Sequence, residues 1–406
     1  MKVLFLAHLF PLPLDSGGKI KSYCTLKTLA KEHEVQVLAY LRTDEEWRLV
    51  CELRRICQDA YLVPLQRGAL RQMADLASSL LTGRSFIVSR DDRAHMRAAF
   101  RNLVSSFSPD VVHIDHLQMA QFVDSGGSYR TVLDHHNVES VIVRRVAETA
   151  KSRMTRLYAG VEWPKLQRYE LQACRSSDMV LTVSEEDRRT LQELDRRIDN
   201  IHCVPIGVDV DHFRPVERNT ASRNILSVGT MYWPPNVDSM LYFCREIFPL
   251  IKDRVPGSTL TIAGQRPAAT VRALANDPAV MVTGYVEDLT DLARQCGAFV
   301  VPLRSGSGVR VKILSALGMG LPVVSTSVGA EGLEVTDGKH VLIADTPEEF
   351  AEATARILED DVLARSLGEN GRRLVCEKYS WEVVGERLLH LYRHVLCGPD
   401  AGREER

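Results

Sequence analysis

The chain has 406 residues, more than one ordinary hydrophobic core can hold, so two domains of roughly 200 residues each are expected. Its formal net charge is −2 and only 6% of its residues are aromatic, which argues against a nucleic-acid-binding protein. Nine scattered cysteines without a CxxC pair argue against a zinc ribbon or a disulfide scaffold and fit a reducing cytoplasm. No apolar run approaches the roughly 18 residues that cross a bilayer.

The N-terminal stretch, MKVLFLAHLFPLPLDSGG, imitates a signal peptide because a lysine precedes an apolar run. Pro11 and Pro13 interrupt that run, however, and no small-x-small cleavage site follows it. A buried first strand over 3–7, followed by a loop to Gly17 and Gly18, accounts for the same residues. We therefore interpret the stretch as the first strand of a domain.

Strands and helices alternate along the first half, a pattern typical of a doubly wound parallel sheet. The long helix predicted over 141–175 contains Pro164, where a kink is expected, and Ser184 is predicted to cap the helix that follows. The predicted strands are 3–7, 34–41, 60–64, 110–114, 130–137 and 178–184, and the other predicted helices are 19–33 and 45–57.

A helical insert over about 66–107 interrupts this alternation, with helices predicted at 70–81 and 94–107. Its arginines lie among leucine, methionine, isoleucine and phenylalanine side chains. They are Arg67, Arg71, Arg84, Arg90, Arg93, Arg97 and Arg101. Such a pair of basic amphipathic helices can lie on an anionic membrane surface, and an ordinary insert with a solvated arginine face explains it as well.

Proline and glycine punctuate the passage over 205–223, where we place the linker between the two domains. A second α/β series follows, with strands at 224–229, 259–264, 280–284, 298–302, 323–326 and 341–343 and helices at 238–251, 288–296, from 311, and after 347. The predicted organisation is an N-terminal domain over 1–205, a C-terminal domain over 206–380, a last helix over 381–397 and a flexible tail over 398–406.

Glycines end three strands of the second series, at Gly229, Gly264 and Gly284, and allow a ligand to approach the backbone there. The fourth such strand leads into SGSGVRVKILSALGMGLPVVST, where Arg310 and Lys312 precede an apolar helix. Amide groups at a helix start, with two cations beside them, are suited to a diphosphate. No GxGxxG follows the first strand of either half and no GxxxxGK[ST] occurs, which argues against a typical NAD enzyme or a P-loop ATPase.

These pieces together resemble the retaining GT-B glycosyltransferases of the large group 1, family 4-like family. The signature helix of that family reads roughly K-[IL]-L-E-A-x-A-x-G-x-P-V-[IV]-x-[ST], and this chain has KILSALGMGLPVVST from Lys312. Further matches occur in family order over nearly the whole chain. They are Gly17-Gly18, DVVH ending at His113, VSE at 183–185, PIGVD at 205–209 with FRP at 213–215, VGTMYWPPN at 228–236 and GYVED at 284–288.

The resemblance implies a fold of two Rossmann-like domains facing a cleft, an N-terminal acceptor domain and a C-terminal donor domain, with the last helix crossing back to the first. It implies that Arg310 and Lys312 bind the donor diphosphate and stabilise the leaving group, while His113 contacts the transferred sugar. The donor-binding residues that it implies are Gly17, Gly18, Gly229, Thr230, Gly264, Gly284, Val286, Asp288, Gly308, Val309, Ser315 and Glu331. No metal or other cofactor is implied, and no covalent nucleophile is assigned.

The chain departs from the family at Ser307 and Ser315, where glutamates are common, and at Ile206, where asparagine is usual. The second glutamate would accept hydrogen bonds from the ribose hydroxyls, so its loss costs roughly 1–3 kcal/mol of nucleotide binding. Glu331 is a candidate replacement.

Two other groups of residues have the form of metal sites. His113, Asp115 and His116, together with His135 and His136, could meet at two strand ends, although sugar-contacting or structural histidines are the alternative. A DxD at 209–211 has the form of a divalent-cation site, and we interpret it as a structural part of the linker.

The expected function is transfer of a sugar, with retention, from a nucleoside-diphosphate sugar to a glycan or lipid-linked acceptor in cell-surface or exopolysaccharide biosynthesis. The expected location is the cytoplasm, with peripheral contact to an anionic membrane. A catalytically silent relative that binds a nucleotide or a partner is the alternative, which the two serines motivate, and a nucleotide-sugar epimerase is a third. The sequence leaves the base, the sugar, the acceptor and the oligomeric state open.

Overall fold

The structure is a computed structural model that describes residues 1–65, 67–124, 126–150, 152–305 and 308–397. The chain forms two compact units. Unit 1 comprises Met1–Pro205 and the C-terminal segment from Gly385, and unit 2 comprises Ile206–Val384. None of the described helices is long and apolar enough to cross a membrane.

Unit 1 is built on a seven-stranded sheet in which all neighbouring strands are parallel. Its strands are β1 (Lys2–Ala7), β2 (Glu34–Leu41), β3 (Asp59–Pro64), β4 (Val111–Asp115), β5 (Arg130–Asp134), β6 (Met179–Thr182) and β7 (Ile201–Cys203), in the order β3-β2-β1-β4-β5-β6-β7. The central strands β1 and β4 are buried almost throughout, because in such a sheet helices cover both faces.

The helices of unit 1 are α1 (Gly17–Leu29), α2 (Asp44–Arg48), α3 (Val50–Leu53), α4 (Ala69–Thr82), α5 (Phe86–Ser89), α6 (Ala94–Phe107), α7 (Glu139–Thr149), α8 (Arg153–Ser176) and α9 (Glu185–Leu194). The helix predicted over 141–175 is interrupted between Thr149 and Arg153, whereas Pro164 lies inside α8. The Ser152 side chain starts α8 by accepting a hydrogen bond from the amide of Thr155. The cap predicted at Ser184 is confirmed, because its hydroxyl accepts from the amide of Asp187 at 3.0 Å.

The insert between β3 and β4 contains three helices, α4, α5 and α6, rather than the two predicted. Several of its arginines pair with acidic side chains of the insert. Arg67 contacts both carboxylate oxygens of the fully buried Asp91 at 2.7 and 2.8 Å, and Arg97 contacts Asp92 at 2.8 Å. His8, which follows β1, also lies 2.9 Å from Asp91. These arginines therefore hold the insert together and attach it to the sheet.

Unit 2 is built on a six-stranded parallel sheet. Its strands are β8 (Asn224–Val228), β9 (Thr259–Ala263), β10 (Val280–Gly284), β11 (Ala298–Val301), β12 (Val323–Ser325) and β13 (Leu342–Ile343), in the order β10-β9-β8-β11-β12-β13. Its helices are α10 (Pro234–Tyr242), α11 (Phe248–Arg254), α12 (Ala269–Arg272), α13 (Thr290–Arg294), α14 (Val311–Gly318), α15 (Ser327–Ala330), α16 (Pro347–Glu359) and α17 (Asp361–Lys378), while α18 (Trp381–Cys397) continues into unit 1.

Strand order reverses once in each sheet, between β1 and β4 in unit 1 and between β8 and β11 in unit 2. Neighbouring connections leave such a point in opposite directions, which opens a crevice at the carboxyl ends of the strands. In unit 1 the crevice lies at the start of α1 and the end of β4. In unit 2 it lies at the end of β8 and the loop before α14, where the diphosphate site is predicted.

Candidate active site

The two cations of unit 2 lie where α14 begins, with Arg310 as the residue that precedes the helix and Lys312 in its first turn. The Lys312 ammonium donates to the Asn236 side-chain oxygen at 2.9 Å. The Asn236 amide group in turn donates to the Thr230 carbonyl at 3.0 Å, which fixes the orientation of Asn236. Burial and the charge of Arg310 lower the pKa of Lys312 to about 7. Lys312 is therefore a cation whose charge will respond to a nearby anion.

Glycine at position 229 makes room for this lysine. A Cβ atom on Gly229 would lie 2.9 Å from the Lys312 ammonium nitrogen and 3.1 Å from the Asn236 side-chain nitrogen. Gly264 has a φ of +155°, and a Cβ there would overlap the Gly229 carbonyl group, so the two loops pack backbone against backbone. Gly284 has a φ of +77° and open space around its Cβ position. The three strand-ending glycines thus serve different purposes.

Arg310 is nearly buried, and its guanidinium donates to the carbonyl oxygen of Gly308. Gly308 itself has a φ of +77°, a conformation that favours glycine. Ser315 is also buried and lies one turn along α14 from Lys312. Two residues of the predicted loop, Gly306 and Ser307, lie outside the described residues.

The remaining predicted donor residues lie in neighbouring loops of unit 2. Val286 and Val309 are half-buried against the hydrophobic core of the unit. Asp288 is exposed and accepts a hydrogen bond from the Thr290 amide at 2.8 Å; the hydroxyl and amide of Thr290 lower the pKa of Asp288. Glu331 is half-buried just after α15.

Unit 1 contains a group of buried polar side chains at its crevice, which we call the carboxylate–histidine cluster: Asp115, His116 and His136. The Asp115 carboxylate lies 2.9 Å from His116 Nδ1 and 2.9 Å from His136 Nε2, and it accepts from the Ser22 hydroxyl at 2.8 Å. Burial raises the pKa of Asp115, but the two histidines outweigh burial and hold that pKa well below its ordinary value. Asp115 is therefore a buried anion that orients two imidazoles.

His116 has an uncommon backbone conformation, with φ at +76° directly after β4. Such strain in a non-glycine residue is found mostly at functional sites. Burial on its own lowers the pKa of His116, but the Asp115 carboxylate outweighs it and raises the pKa above its ordinary value. A Cβ on Gly18, in the first turn of α1, would lie 3.6 Å from His116 Nε2 and 3.6 Å from His136 Nδ1. Gly18, at the start of α1, therefore lies against both imidazoles.

His113 lies deeper along β4, with a ring nitrogen within 4.8 Å of the carboxylates of Asp115 and Asp134. Its side chain is fully buried, its Nδ1 atom is 2.6 Å from the Tyr392 hydroxyl, and its ring stacks on Phe5 at 4.6 Å between centroids. Its other ring nitrogen faces Asp134 at 3.6 Å, and Asp134 pairs with the buried Lys21. In this position the His113 ring is enclosed by its neighbours in unit 1, and its predicted contact with the transferred sugar stays a prediction.

The two alternative metal sites have simpler explanations. Ligand atoms of the carboxylate–histidine cluster lie close enough together to hold an ion, but the Asp115 oxygens already accept from three protein donors. His135 lies apart from the cluster, with Nε2 at 3.3 Å from the Cys174 sulfur. In the DxD of the linker, Asp209 Oδ1 accepts from the amides of Asp211 and His212 at 3.0 and 2.9 Å, which is a turn.

Two family models match the chain on either side of the linker. The model described as Glycosyltransferase Family 4 matches residues 25–212, and the model described as Glycosyl transferases group 1 matches residues 222–360. The second range contains Gly229, Asn236 and the cation pair. The chain is a glycosyltransferase of group 1, family 4.

Relatives of this glycosyltransferase support the same assignment. A protein of Klebsiella pneumoniae, described as an uncharacterized 44.6 kDa protein in the cps region, is 22% identical over 94% of this chain and 97% of its own length. A GDP-mannose-dependent alpha-(1-6)-phosphatidylinositol monomannoside mannosyltransferase of Mycobacterium tuberculosis is 27% identical over 56% of this chain. The alignment spans 63% of that mannosyltransferase.

Solved structures show that the glycosyltransferase has the predicted GT-B fold. Sucrose-phosphate synthase from Thermosynechococcus elongatus superposes with a TM-score of 0.71 at 16% identity, covering 97% of this chain and 98% of that one. HepE from Anabaena, in complex with UDP-glucose, superposes with a TM-score of 0.67 at 12% identity, covering 97% of this chain and 99% of that one. The prediction of two Rossmann-like parallel sheets is confirmed.

One residue of the site, Asn236, was not predicted from the sequence, and His116 was named only as one of several histidines that could bind a metal ion or contact the sugar. Asn236 binds Lys312. The sequence feature that could have indicated it is the Pro-Pro-Asn at the start of a helix, which contributed only to the family match. His116 contributes an imidazole at the crevice. The sequence feature that could have indicated it is its position directly after a buried strand. The sequence cannot show which of several neighbouring histidines faces inward.

Proposed function

We propose that this glycosyltransferase transfers a sugar, with retention, from a nucleoside-diphosphate sugar to a glycan or lipid-linked acceptor. The observation that carries the proposal is the position of Arg310 and Lys312 at the start of α14, at the carboxyl ends of the strands of unit 2. Two side-chain cations and the amides of a helix N-terminus supply the positive charge that a diphosphate needs. The reaction as proposed therefore requires no metal ion or other cofactor.

In the proposed reaction the bond between the anomeric carbon and the diphosphate oxygen breaks, and negative charge grows on the diphosphate. Arg310 and Lys312 stabilise that charge, which is the interaction that strengthens most in the transition state. The acceptor hydroxyl bonds to the anomeric carbon on the face that the diphosphate leaves, and its proton passes to the departing diphosphate. Retention follows from this geometry without a covalent intermediate.

The other residues of the proposed donor site are those that the family resemblance implies. The start of α1, with Gly17 and Gly18, would approach the donor phosphates and the acceptor. The imidazole that would contact the transferred sugar is His116 rather than His113, because His113 is enclosed in the core. The residues proposed around the nucleotide are Gly229, Thr230, Gly264, Gly284, Val286, Asp288, Gly308, Val309, Ser315 and Glu331.

We propose that the acceptor belongs to the synthesis of a surface or extracellular polysaccharide, at the cytoplasmic face of the membrane. The relative from a cps region supports the pathway, and the mannosyltransferase relative supports an acceptor that carries a lipid. None of the eight cysteines whose side chains the structure describes forms a disulfide, which fits a reducing compartment. The base and the sugar stay open, since one relative uses GDP-mannose and one neighbour binds UDP-glucose.

The test is release of nucleoside diphosphate from a panel of nucleotide sugars that includes GDP-mannose and UDP-glucose, with a lipid-linked glycan acceptor present. Arg310→Ala and Lys312→Met should each lower kcat at least about a hundredfold, because each removes a charge that stabilises the leaving group. Arg304→Ala is the matched control, since Arg304 is exposed and pairs with Asp238 at 2.7 Å. Full turnover by the Arg310 and Lys312 variants would show that the site is misplaced. Release from no donor would favour the silent relative.

A further inference from the structure

Helix α4 presents its apolar side chains to solvent rather than to the core. Leu70, Met73, Leu80 and Leu81 are 86%, 69%, 62% and 88% exposed, and their spacing places them on one face of the helix. The opposite face carries Ser79, which is 1% exposed. A surface helix of a soluble protein normally has the reverse pattern, so this face is built to meet something apolar.

The first turns of α8 continue the same pattern. Met154, Leu157 and Val161 are exposed along one face, at 77%, 67% and 43%, while Ala159 and Leu166 on the other face are buried. We call these exposed residues of α4 and α8 the outer apolar face. Single exposed apolar residues are common on proteins, but seven on two helices are not.

The two helices are neighbours in unit 1. The Lys165 ammonium on α8 donates to the Ser79 carbonyl at the end of α4 at 2.9 Å. Just after α4, the Ser85 hydroxyl donates to the buried Glu162 carboxylate on α8 at 2.5 Å. The outer apolar face therefore belongs to one region of the surface.

The charges that flank the outer apolar face are mostly positive. Arg71 and Arg84 on or beside α4, and Arg153 and Arg156 in the first turns of α8, are all exposed. The α8 segment from Arg153 to Val161 contains no acidic residue. The acidic groups nearby are Asp75 beside Arg71 and Arg93, Asp92 beside Arg84 and Arg97, and the buried Glu162.

We propose that the outer apolar face docks on an anionic lipid bilayer. Leucine and methionine side chains would enter the boundary between headgroups and acyl chains, and the arginines would extend to the lipid phosphates. The surplus of positive charge selects an anionic bilayer over a second copy of the chain, since two copies would bring these arginines together. The surface lies outside the donor site, so the proposal does not depend on sugar transfer.

The test is flotation of the full chain with vesicles of phosphatidylcholine, with and without phosphatidylglycerol, at low and high salt. The wild-type chain should bind the phosphatidylglycerol vesicles, less so at high salt. The double variant Leu70→Ser/Leu81→Ser should bind at least about tenfold more weakly. Arg153→Ala/Arg156→Ala should reduce the preference for anionic vesicles on the order of tenfold. Val362→Ser on α17, a residue that is 78% exposed, is the matched control and should bind like wild type.

The proposal fails if the wild-type chain does not bind, binds both vesicle types equally, or binds with undiminished strength after the leucine substitutions. It also fails if light scattering shows a dimer in solution that the leucine substitutions dissociate, because the face would then join two copies. Nucleoside-diphosphate release in the absence of lipid should be unchanged in the leucine variant. If the leucine variant lost nucleoside-diphosphate release but bound vesicles like wild type, the result would count against the proposed function or the folding of the variant. It would not support docking.

Discussion

The charge of Lys312 is expected to set the pH dependence of donor binding. Burial and Arg310 hold the pKa of its ammonium group at about 7, so near neutral pH only half of the empty molecules carry this charge. A diphosphate beside Lys312 favours the charged form and raises its pKa toward the ordinary value of 10.5. Donor binding near pH 7 should therefore take up about half a proton.

This proton uptake determines how donor affinity changes with pH. Below the pKa of the empty state the lysine is already charged, and affinity should not change with pH. Above it each binding event must first protonate the lysine, so affinity should fall, by about fiftyfold between pH 7 and 9. Lys312→Arg should bind with an affinity that is flat over this range, since arginine stays charged.

Isothermal titration calorimetry with an intact nucleotide sugar measures the affinity and the number of protons taken up. An intact nucleotide sugar is chosen because its diphosphate does not ionise in this pH range. Repeating the titration in buffers of different ionisation enthalpy gives the number of protons taken up. An affinity of the wild-type chain that is constant from pH 6 to 9, with no proton uptake, would refute the placement of the diphosphate beside Lys312. Equal pH dependence in wild type and Lys312→Arg would assign the titration to another group.

Four further substitutions test individual parts of the site. Gly264→Ala should lower the free energy of unfolding by on the order of 3 kcal/mol, because the new Cβ would overlap a backbone carbonyl. Gly284→Ala should lower it by only about 1 kcal/mol, because the space around Gly284 is open. Equal losses in denaturant unfolding would contradict the packing argument. Asp115→Asn should lower the pKa of His116 relative to wild type, because it removes the carboxylate that most opposes burial, while Glu139 and Asp134 still raise that pKa. An NMR titration of His116 that matches wild type would show that Asp115 does not control its pKa. Ser315→Glu should tighten donor binding by about 1–2 kcal/mol if the position faces the ribose; an unchanged or weaker Kd would exclude that.

The sequence predicted the fold well because its strands are continuously apolar and end in glycine or polar residues. Boundaries were less accurate. The helix predicted over 238–251 begins instead at Pro234 and contains a π-helical turn over Phe243–Ile247, since the Pro-Pro pair can form a first helical turn but gives no periodicity. The break before Arg153 arises from a serine cap, a local signal weaker than the proline that drew the prediction to position 164.

The site could be predicted only in part. The cation pair could be predicted from the sequence, because Arg310 and Lys312 lie close together in the chain where one loop meets one helix. The contact of Lys312 with Asn236 joins positions 76 residues apart and depends on the parallel sheet that brings them together. The choice between His113 and His116 depends on which ring the last helix covers, and no local pattern contains that information.

The last helix has a consequence for how the chain is made. Tyr392 is fully buried against His113 and His33, so the interior of the first unit is complete only when α18 is present. A ribosome delivers Met1–Pro205 long before it delivers Tyr392. Domains synthesised first usually fold first, but here the N-terminal sheet keeps an open surface until Tyr392 has been synthesised. A C-terminal truncation would therefore damage the domain farthest from it in sequence.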